Sequence, residues 1–284
     1  MSKISVVMPT YNAERYVKEA IESVLNQSFG DFEYIIVDDG SSDDTMSIIR
    51  SFSDKRIKIF ENKHDFIGSL NIGIRSASGK YIARMDADDL MYCERLKIQY
   101  KIMEEEPELA VCTSWVRTFG ENIAGNILPS YVGVLKYPLY HLLQGNFLFH
   151  PTAMIRTSFL YEHILEYQNY EFAEDYKLWV EIAKRGGLFY IESQPLLFYR
   201  INTEQVSYQK RKEQAETALR IRWEILTYLL KLNSNHYPNL SLMLESMSLA
   251  KNQGLLTDDR ILSFFMIYFQ RTKAVLFLNH NIVI

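Results

Sequence analysis

The first ninety residues alternate between short apolar runs and stretches with helical spacing, and this alternation constrains the fold more than any other feature. The apolar runs are typical of buried strands; they are Ile4–Met8, Tyr34–Val37, Ile57–Phe60 and Tyr81–Met85. The stretches between them place apolar residues on one helical face, as at Val17, Ala20, Ile21, Val24 and Leu25. Such alternation predicts an α/β fold with βαβ units and a mostly parallel central sheet.

Two of the predicted strands end in carboxylates. Asp38 and Asp39 follow the second strand, and Asp86, Asp88 and Asp89 follow the fourth. Equivalent ends of parallel strands lie on one edge of a sheet, and open α/β sheets bind ligands at that edge. We therefore expect the two acidic groups to face a single crevice.

The acidic group after the fourth strand favours a bound metal. Three carboxylates within four positions repel one another, so a cation or a pair of arginines should lie among them. The simplest occupant is a divalent metal that shares its other positions with substrate phosphates. The alternative is a solvated acidic turn before a helix N-terminus. Neither G-x-G-x-x-G nor G-x-x-x-x-G-K-[ST] occurs in the chain, so dinucleotide-binding and P-loop functions lack their phosphate-binding loop.

The remainder of the chain predicts further α/β structure and then helices. A helix is expected over about 92–106, followed by a strand at Leu109–Thr113. Leu188–Ile191 and Leu196–Tyr199 are typical of two short strands, and apolar residues recur at helical spacing from Lys210 onward. The pattern therefore predicts an α/β domain with a helical appendage.

Two other polar features are ambiguous when only the residues are considered. Glu174 and Asp175 open a predicted helix, where the helix dipole alone favours carboxylates. His150 precedes Pro151, and its pattern is that of a core or turn histidine.

Composition excludes some classes of function and compartment. A formal net charge of −4 provides no basic field, so we expect no nucleic-acid partner. The two cysteines, Cys93 and Cys112, lack metal-ligand spacing and fit a reducing compartment. The N-terminus shows no signal peptide, and the apolar stretches Ile261–Phe269 and Ala274–Leu278 are too short to span a membrane. We expect a cytoplasmic protein, at the inner face of the cell membrane if it touches one.

Four motifs in order resemble those of the family 2 glycosyltransferases. They are Val6-Val7-Met8-Pro9-Thr10-Tyr11-Asn12, Val37-Asp38-Asp39-Gly40-Ser41, Asp86-Ala87-Asp88-Asp89 and Glu174-Asp175. The resemblance covers about residues 3–205 and implies the GT-A fold, a Rossmann-like nucleotide-sugar-binding domain with a mostly parallel central sheet. It implies a catalytic domain over 1–205, with a nucleotide-sugar half at about 1–115 and an acceptor half at about 116–205. Residues 206–284 would form a helical C-terminal extension.

The resemblance also implies roles on the donor side of the reaction. Pro9, Thr10 and Tyr11 match the segment that lines the nucleotide base, with Tyr11 placed to stack on it. Asp39 matches the carboxylate that accepts a hydrogen bond from the base, usually uracil, and Asp38 supports the turn. The D-x-D residues and their neighbour match contacts to the ribose and to a diphosphate-bound Mn2+ or Mg2+; these are Asp86 and Asp88, with Asp89 as a further metal ligand.

On the acceptor side, Asp175 matches the base that activates the acceptor hydroxyl. His150 and Glu174 are candidate contacts to the acceptor or the diphosphate. One base without a covalent nucleophile implies an inverting transfer, so an α-linked donor would give a β-linked product.

The implied activity is that of a metal-dependent hexosyltransferase. It would move a hexose from a UDP-sugar to a glycan acceptor, lipid-linked by expectation, in surface polysaccharide or lipopolysaccharide biosynthesis. A non-catalytic nucleotide-sugar-binding partner of another transferase is the alternative, although the intact Asp39, Asp88 and Asp175 argue against it. A sugar nucleotidyltransferase would need a Gly-rich basic triphosphate loop near the first strand, and none is present.

The aromatic-rich segment Arg260–Leu278 is expected to serve as a contact surface. Its basic and aromatic residues suit peripheral membrane contact. Packing on the catalytic domain or formation of a homodimer are the alternatives.

Overall fold

A computed structural model describes residues 2–120, 125–201, 209–234 and 237–272. The chain divides into two compact units. The sheet unit comprises Met1–Leu135, Leu148–Asn169 and Gly187–Gln209, and the helical unit comprises Lys136–Phe147, Tyr170–Gly186 and Lys210–Ile284.

The strands of the sheet unit pair into one mixed sheet. They are β1 Ile4–Thr10, β2 Phe32–Asp38, β3 Ile57–Glu61, β4 Tyr81–Arg84, β5 Leu90–Met91, β6 Leu109–Phe119, β7 Ile127–Leu128, β8 Gly133–Val134, β9 Met154–Arg156 and β10 Leu188–Arg200. The helices of the same unit are α1 Val17–Leu25, α2 Thr45–Arg50, α3 Phe66–Ser76, α4 Arg95–Glu105 and α6 Thr157–Glu162, with a 3₁₀ turn at His150–Thr152.

The strand order is β3-β2-β1-β4-β9-β6-β10-β5, with β7 beside β6 and β8 beside β10. The first four strands in this order are mutually parallel, as are β6 and β10. Strand β9 runs antiparallel to both β4 and β6 and joins the two parallel groups. The predicted α/β fold with a mostly parallel sheet is confirmed.

Several predicted strand boundaries were wrong; the strand expected at Leu109–Thr113, for example, is β6 and continues to Phe119. The prediction of two short strands at 188–199 fails because one strand, β10, continues through register irregularities between Glu192 and Leu197. Pro195 lies within this irregular stretch, and it breaks the apolar pattern from which strands are predicted. Strand β1 also extends past Pro9 to Thr10. Its pairing with β4 ends at Val7, so Pro9 has a strand neighbour on one side only, where a missing N–H is tolerated.

The registers place the carboxyl ends of β1, β2 and β4 on one edge of the sheet. Thr10 lies opposite Asp38, and Val7 lies opposite Arg84. These strands are buried throughout, because α1 and α3 cover them with the apolar faces that the sequence predicted. The two acidic groups therefore follow strands of the same parallel group, as expected.

The helical unit contains α5 Pro138–Gln144, α7 Glu174–Lys184, α8 Arg211–Asn233, α9 Asn239–Asn252 and α10 Asp258–Thr272. Its interior is apolar and includes Leu142, Trp179, Ile225, Phe265 and Phe269. Helix α7 packs in this unit although it precedes residue 205 in sequence. The two compact units therefore do not divide at the boundary expected there. The division into a catalytic domain over 1–205 and a helical extension over 206–284 stays a prediction.

The expected contact segment Arg260–Leu278 lies partly in α10, where Ile261, Leu262, Phe265 and Phe269 are buried. Its residues 273–278 lie outside the described part of the chain. Among the described helices, none combines the length and the hydrophobicity needed to cross a bilayer.

Candidate functional site

The loops after β1 and β2 are joined by hydrogen bonds at Asp38. The Thr10 hydroxyl donates to its carboxylate over 3.2 Å, and the Ser41 hydroxyl and backbone N–H donate over 2.6 and 3.0 Å. Asn12, in a left-handed conformation with φ of 44°, accepts from the Ser42 N–H over 2.9 Å. Asp38 is thus fully engaged within the turn, and Pro9 and Thr10 are buried in β1 behind it.

Asp39 is buried against the loop that follows β3. Its Oδ1 accepts hydrogen bonds from the Asp65 N–H over 2.7 Å and from the Ser69 hydroxyl over 2.8 Å. Its Oδ2 lies 3.8 Å from Nδ1 of His64. The His64 ring centroid lies 4.4 Å from that of Tyr11, whose side chain is 46% exposed. Oδ2 of Asp39 therefore lies on the side of the His64 ring, beside the exposed ring of Tyr11.

The β3–α3 residues around Asp39 were not identified from the sequence. Asn62, His64, Asp65 and Ser69 carry no motif, and only the parallel register, with Asp38 opposite Glu61, brings them alongside Asp39. Identifying these residues would have required the strand order, because the pairing of β2 with β3 could not be assigned from local pattern alone.

Asp86, Asp88 and Asp89 converge at the end of β4. One carboxylate oxygen from each lies within 4.8 Å of the others. The buried Arg84 guanidinium donates a hydrogen bond to Asp86, and the Arg200 N–H donates to Oδ1 of Asp89 over 2.8 Å. The Arg200 Nε–H also donates to the Asp88 carbonyl over 2.6 Å. Of the two arginines, Arg84 places its guanidinium on a carboxylate of the cluster, whereas Arg200 contacts it through its backbone N–H and through the Asp88 backbone carbonyl.

Ionisation of this cluster is unfavourable without a further positive charge. Burial, and then the charge of Asp86, raises the pKa of Asp88 to about 6. Burial, together with the charges of Asp86 and Asp88, raises the pKa of Asp89 well above its usual range. Within the described part of the chain, the buried Oδ2 of Asp89 has no hydrogen-bond partner. A buried carboxylate oxygen without a donor, among two other carboxylates, fits a hard divalent cation.

His150 belongs to the sheet unit and is a neutral group there. Its Nε2 lies 2.7 Å from the Tyr167 hydroxyl. Burial, and then the nearby Arg84 charge, lowers the pKa of His150 well below its usual range. It can exchange hydrogen bonds near neutral pH but does not provide a cation.

Asp175 lies in the first turn of α7, in the helical unit. Its Oδ1 accepts the Tyr176 N–H over 2.6 Å, and its Oδ2 accepts the Asn146 side-chain amide over 2.8 Å. Glu174 beside it is buried, with 8% exposure. Asn146 was not identified from the sequence, because a single polar residue after α5 carries no pattern. That Asp175 and the Asp86–Asp89 cluster act on one substrate stays a prediction.

The chain belongs to a family of sugar-transferring enzymes. Residues 5–163 match the family described as Glycosyl transferase family 2, which confirms the membership inferred from the four motifs. An uncharacterized glycosyltransferase of Haemophilus influenzae is 38% identical over 241 residues, which cover 80% of this chain and 74% of that protein. The protein is therefore an enzyme of the glycosyltransferase class.

Two further relatives differ from each other in length and in whether an activity is assigned to them. The UDP-Glc:alpha-D-GlcNAc-diphosphoundecaprenol beta-1,3-glucosyltransferase WfgD of Escherichia coli is 30% identical over 227 residues, which cover 78% of this chain and 85% of that protein. An uncharacterized glycosyltransferase of Rickettsia bellii is 32% identical, but this chain spans only 34% of its length.

Solved structures share the fold. S. aureus TarS 1-349, in complex with UDP-GlcNAc, aligns with a TM-score of 0.65 at 21% identity, over 80% of this chain and 66% of that one. The mannosyltransferase PcManGT from Pyrobaculum calidifontis, in complex with GDP-Man and Mn2+, aligns with a TM-score of 0.59 at 16% identity, over 98% of this chain and 85% of that one. The GT-A fold expected from the resemblance is confirmed.

Proposed function

We propose that this enzyme is an inverting hexosyltransferase that depends on a divalent cation. It moves a hexose from a UDP-sugar to a hydroxyl of a lipid-linked glycan in surface polysaccharide or lipopolysaccharide biosynthesis. The observation that carries the proposal is the carboxylate cluster after β4, in which Asp89 is buried and one of its oxygens lacks a donor in the described chain. The donor and acceptor stated for WfgD, and the UDP-GlcNAc bound to TarS, support the choice of substrates.

The nucleotide base binds between Tyr11 and Asp39, at the ends of β1 and β2. Tyr11 offers an exposed ring for stacking, and the turn after Pro9 and Thr10 holds it there. Oδ2 of Asp39 faces the Tyr11–His64 pair and accepts the imide N–H of uracil. Asp38 contributes by fixing the turn through Thr10 and Ser41.

The donor diphosphate and its cation lie at the end of β4. Asp88 and Asp89 would hold Mn2+ or Mg2+, and Asp86, oriented by Arg84, contacts the ribose. When bound, the cation neutralises the charge that develops on the departing UDP. The carboxylates repel one another in its absence, so a site with raised pKa values is matched to a positively charged ligand.

Asp175 removes the proton from the acceptor hydroxyl. As that oxygen bonds to the anomeric carbon, the bond from carbon to the diphosphate oxygen breaks and UDP leaves. Asp175 suits this role because the Asn146 amide and the Tyr176 N–H hold its carboxylate in place at the start of α7. Direct attack at one carbon inverts its configuration.

Further contacts follow from the same proposal. His150 and Glu174 contact the acceptor or the diphosphate, with His150 neutral and hydrogen-bonded to Tyr167. A lipid-linked acceptor would bring the enzyme to the inner face of the cell membrane. The C-terminal helices would supply peripheral membrane contact or a dimer interface.

The proposal is tested by thermal unfolding of the purified chain with UDP, UDP-glucose, UDP-GlcNAc, GDP-mannose and dTDP-glucose, each with and without Mn2+. A ligand that binds only the native state at a hundred times its Kd adds about 2.7 kcal/mol of stability, so a bound nucleotide raises Tm measurably. We expect stabilisation by the UDP compounds, only with Mn2+, and its loss in Asp89→Asn. Stabilisation by GDP-mannose or dTDP-glucose instead would overturn the uracil assignment.

A further inference from the structure

Helix α8 is joined to the start of α7 by a partly buried ionic network around the buried Lys177. Glu224 of α8 accepts hydrogen bonds from the Lys177 ammonium over 2.5 Å and from the Tyr170 hydroxyl over 2.6 Å. Lys177 also lies 3.0 Å from Glu181 and is only 5% exposed. Burial opposes the charge on Lys177, but its hydrogen bonds to Glu224 and Glu181 outweigh burial and raise its pKa. The network is therefore ionised, and its geometry is specific because a buried charge needs its partners.

The same helix holds the strained backbone just before Asp175. Phe172 lies in the left-handed region with φ of 63°, which a bulky side chain rarely adopts. The Gln214 side-chain amide donates to the Phe172 carbonyl over 2.9 Å, and Arg220 lies over the Tyr170 ring at 4.2 Å. Such strain persists only where the surroundings hold it in place. Here Gln214 and Arg220 of α8 contribute, together with the hydrogen bond from the Ala173 N–H to the Tyr170 carbonyl.

Helix α8 also fixes the segment that supplies Asn146. The Arg222 Nε–H donates to the Leu143 carbonyl over 3.0 Å, three residues before Asn146. Tyr176 follows Asp175 in sequence, and its hydroxyl donates to the Leu142 carbonyl. Both sides of the hydrogen bond between Asn146 and Asp175 are therefore attached to α8.

We propose that α8 is part of the catalytic apparatus, with Glu224 as a residue that positions Asp175. The inference rests on the proposed function, in which Asp175 is the base. Glu224 acts through Lys177, which lies two residues from Asp175 on α7, and through Tyr170 in the segment that leads into the helix. Removing the Glu224 carboxylate takes away one of the two carboxylates that pair with Lys177 and frees the Tyr170 hydroxyl, which loosens the strained segment before α7. Because general base catalysis needs a carboxylate held at the correct distance, its loss slows the chemical step and spares donor binding.

The test compares full-length wild type, Glu224→Ala, Glu224→Gln and Glu216→Gln. Glu216 is an exposed glutamate on the same helix and serves as the matched control. The readouts are the release of UDP from UDP-glucose with Mn2+ and the Tm increase caused by UDP with Mn2+. We expect Glu224→Ala to lower kcat about a hundredfold, the scale of a misplaced catalytic group, with KM for UDP-glucose and the UDP-induced Tm increase unchanged. Glu216→Gln should match the wild type.

A second comparison separates positioning from simple destabilisation. Once Asp175 has been replaced by asparagine, the position of its side chain no longer affects kcat. Glu224→Ala should therefore cause no further loss of kcat in an Asp175→Asn background. An unchanged kcat in Glu224→Ala, or a further loss of that size in the Asp175→Asn background, would overturn the inference. If Glu224→Ala does not fold, Glu224→Gln decides by the same criteria, because it retains an acceptor for Tyr170. A wild type that releases no UDP, or an Asp175→Asn variant with wild-type rate, would instead refute the proposed function.

Discussion

Asp88 and Asp89 are acidic residues that the fold has placed where their ionisation is unfavourable. The pKa of Asp88 is raised to about 6 by burial and by Asp86. A native-state pKa above that of the unfolded chain means that the native state holds more protons between the two values. Stability from this group is therefore present at low pH and is lost as pH rises through about 6.

Asp88→Asn should accordingly stabilise the metal-free protein at pH 7.5 more than at pH 5. The substitution removes a charge that is costly only when it is ionised. Each kcal/mol gained raises Tm by about 2–4 °C in a chain of this size. Differential scanning calorimetry in EDTA measures the Tm difference between variant and wild type at both pH values.

The matched control is Asp44→Asn, at an exposed aspartate outside the cluster, measured at the same two pH values. An Asp88→Asn effect that is equal at pH 5 and pH 7.5 would mean that Asp88 is not destabilised when ionised. Asp88→Asn should also weaken metal binding, because it removes a proposed metal ligand. The Tm increase caused by UDP with Mn2+ should therefore be lost in this variant.

Among individual residues, those in short motifs could be predicted from the sequence. Asp39, Asp88 and Asp175 stand beside a strand end or a helix start that local pattern identifies. Arg200 could not, because it follows Asp89 by 111 residues and meets it only through the pairing of β10 with β5. Long-range partners of this kind are set by strand order, which local periodicity does not encode.

At the level of elements, the sheet edge with the residues proposed to bind the nucleotide-sugar donor depends on close packing of α3 on β1. A Cβ atom placed on Gly73 of α3 would lie 2.3 Å from Cγ1 of Val7, far inside van der Waals contact. Val7 is buried and β-branched, so its side chain has little freedom to move away. Glycine therefore lets the helix approach a strand whose end supports the base-binding turn.

Gly73→Ala should destabilise the protein by about 1–3 kcal/mol, the usual cost of overpacking. In the Gly73→Ala/Val7→Ala double variant, the destabilisation should be smaller than the sum of the two single effects, because the clash disappears. Urea denaturation of the three variants measures this coupling. Gly30→Ala, where a Cβ meets no atom within 4 Å, is the control, and simple additivity would contradict the packing account.

The elements themselves were predictable to different degrees. Strands β1, β2 and β4 were identified because they are continuous apolar runs flanked by helices. Strand β10 was divided in two because Pro195 and polar residues interrupt its pattern. The role of the antiparallel strand β9, which connects the two parallel groups, could not be predicted from local pattern, since its partners are distant in sequence.

For the molecule as a whole, the proposed chemistry is divided between two units. The sheet unit carries the turn proposed to bind the base and the acidic cluster, and the helical unit carries Asp175 and the α8 residues proposed to position it. The family resemblance implied a sequential division at residue 205, shortly before the helical spacing that begins at Lys210. It could not show that residues 136–147 and 170–186 pack with the C-terminal helices. Side-chain contacts between distant segments decide this, and they have no local signature.

The most direct test of the account is the rate of UDP release from UDP-glucose with Mn2+ in wild type, Asp175→Asn and Glu171→Gln. Glu171 is an exposed acid four residues before Asp175 and is the control. A general base contributes about 10²–10⁴-fold, so we predict a loss of that order in Asp175→Asn, with UDP binding retained and Glu171→Gln unaffected. Wild-type turnover in Asp175→Asn would contradict the assignment of Asp175 as the base and, with it, the proposed mechanism.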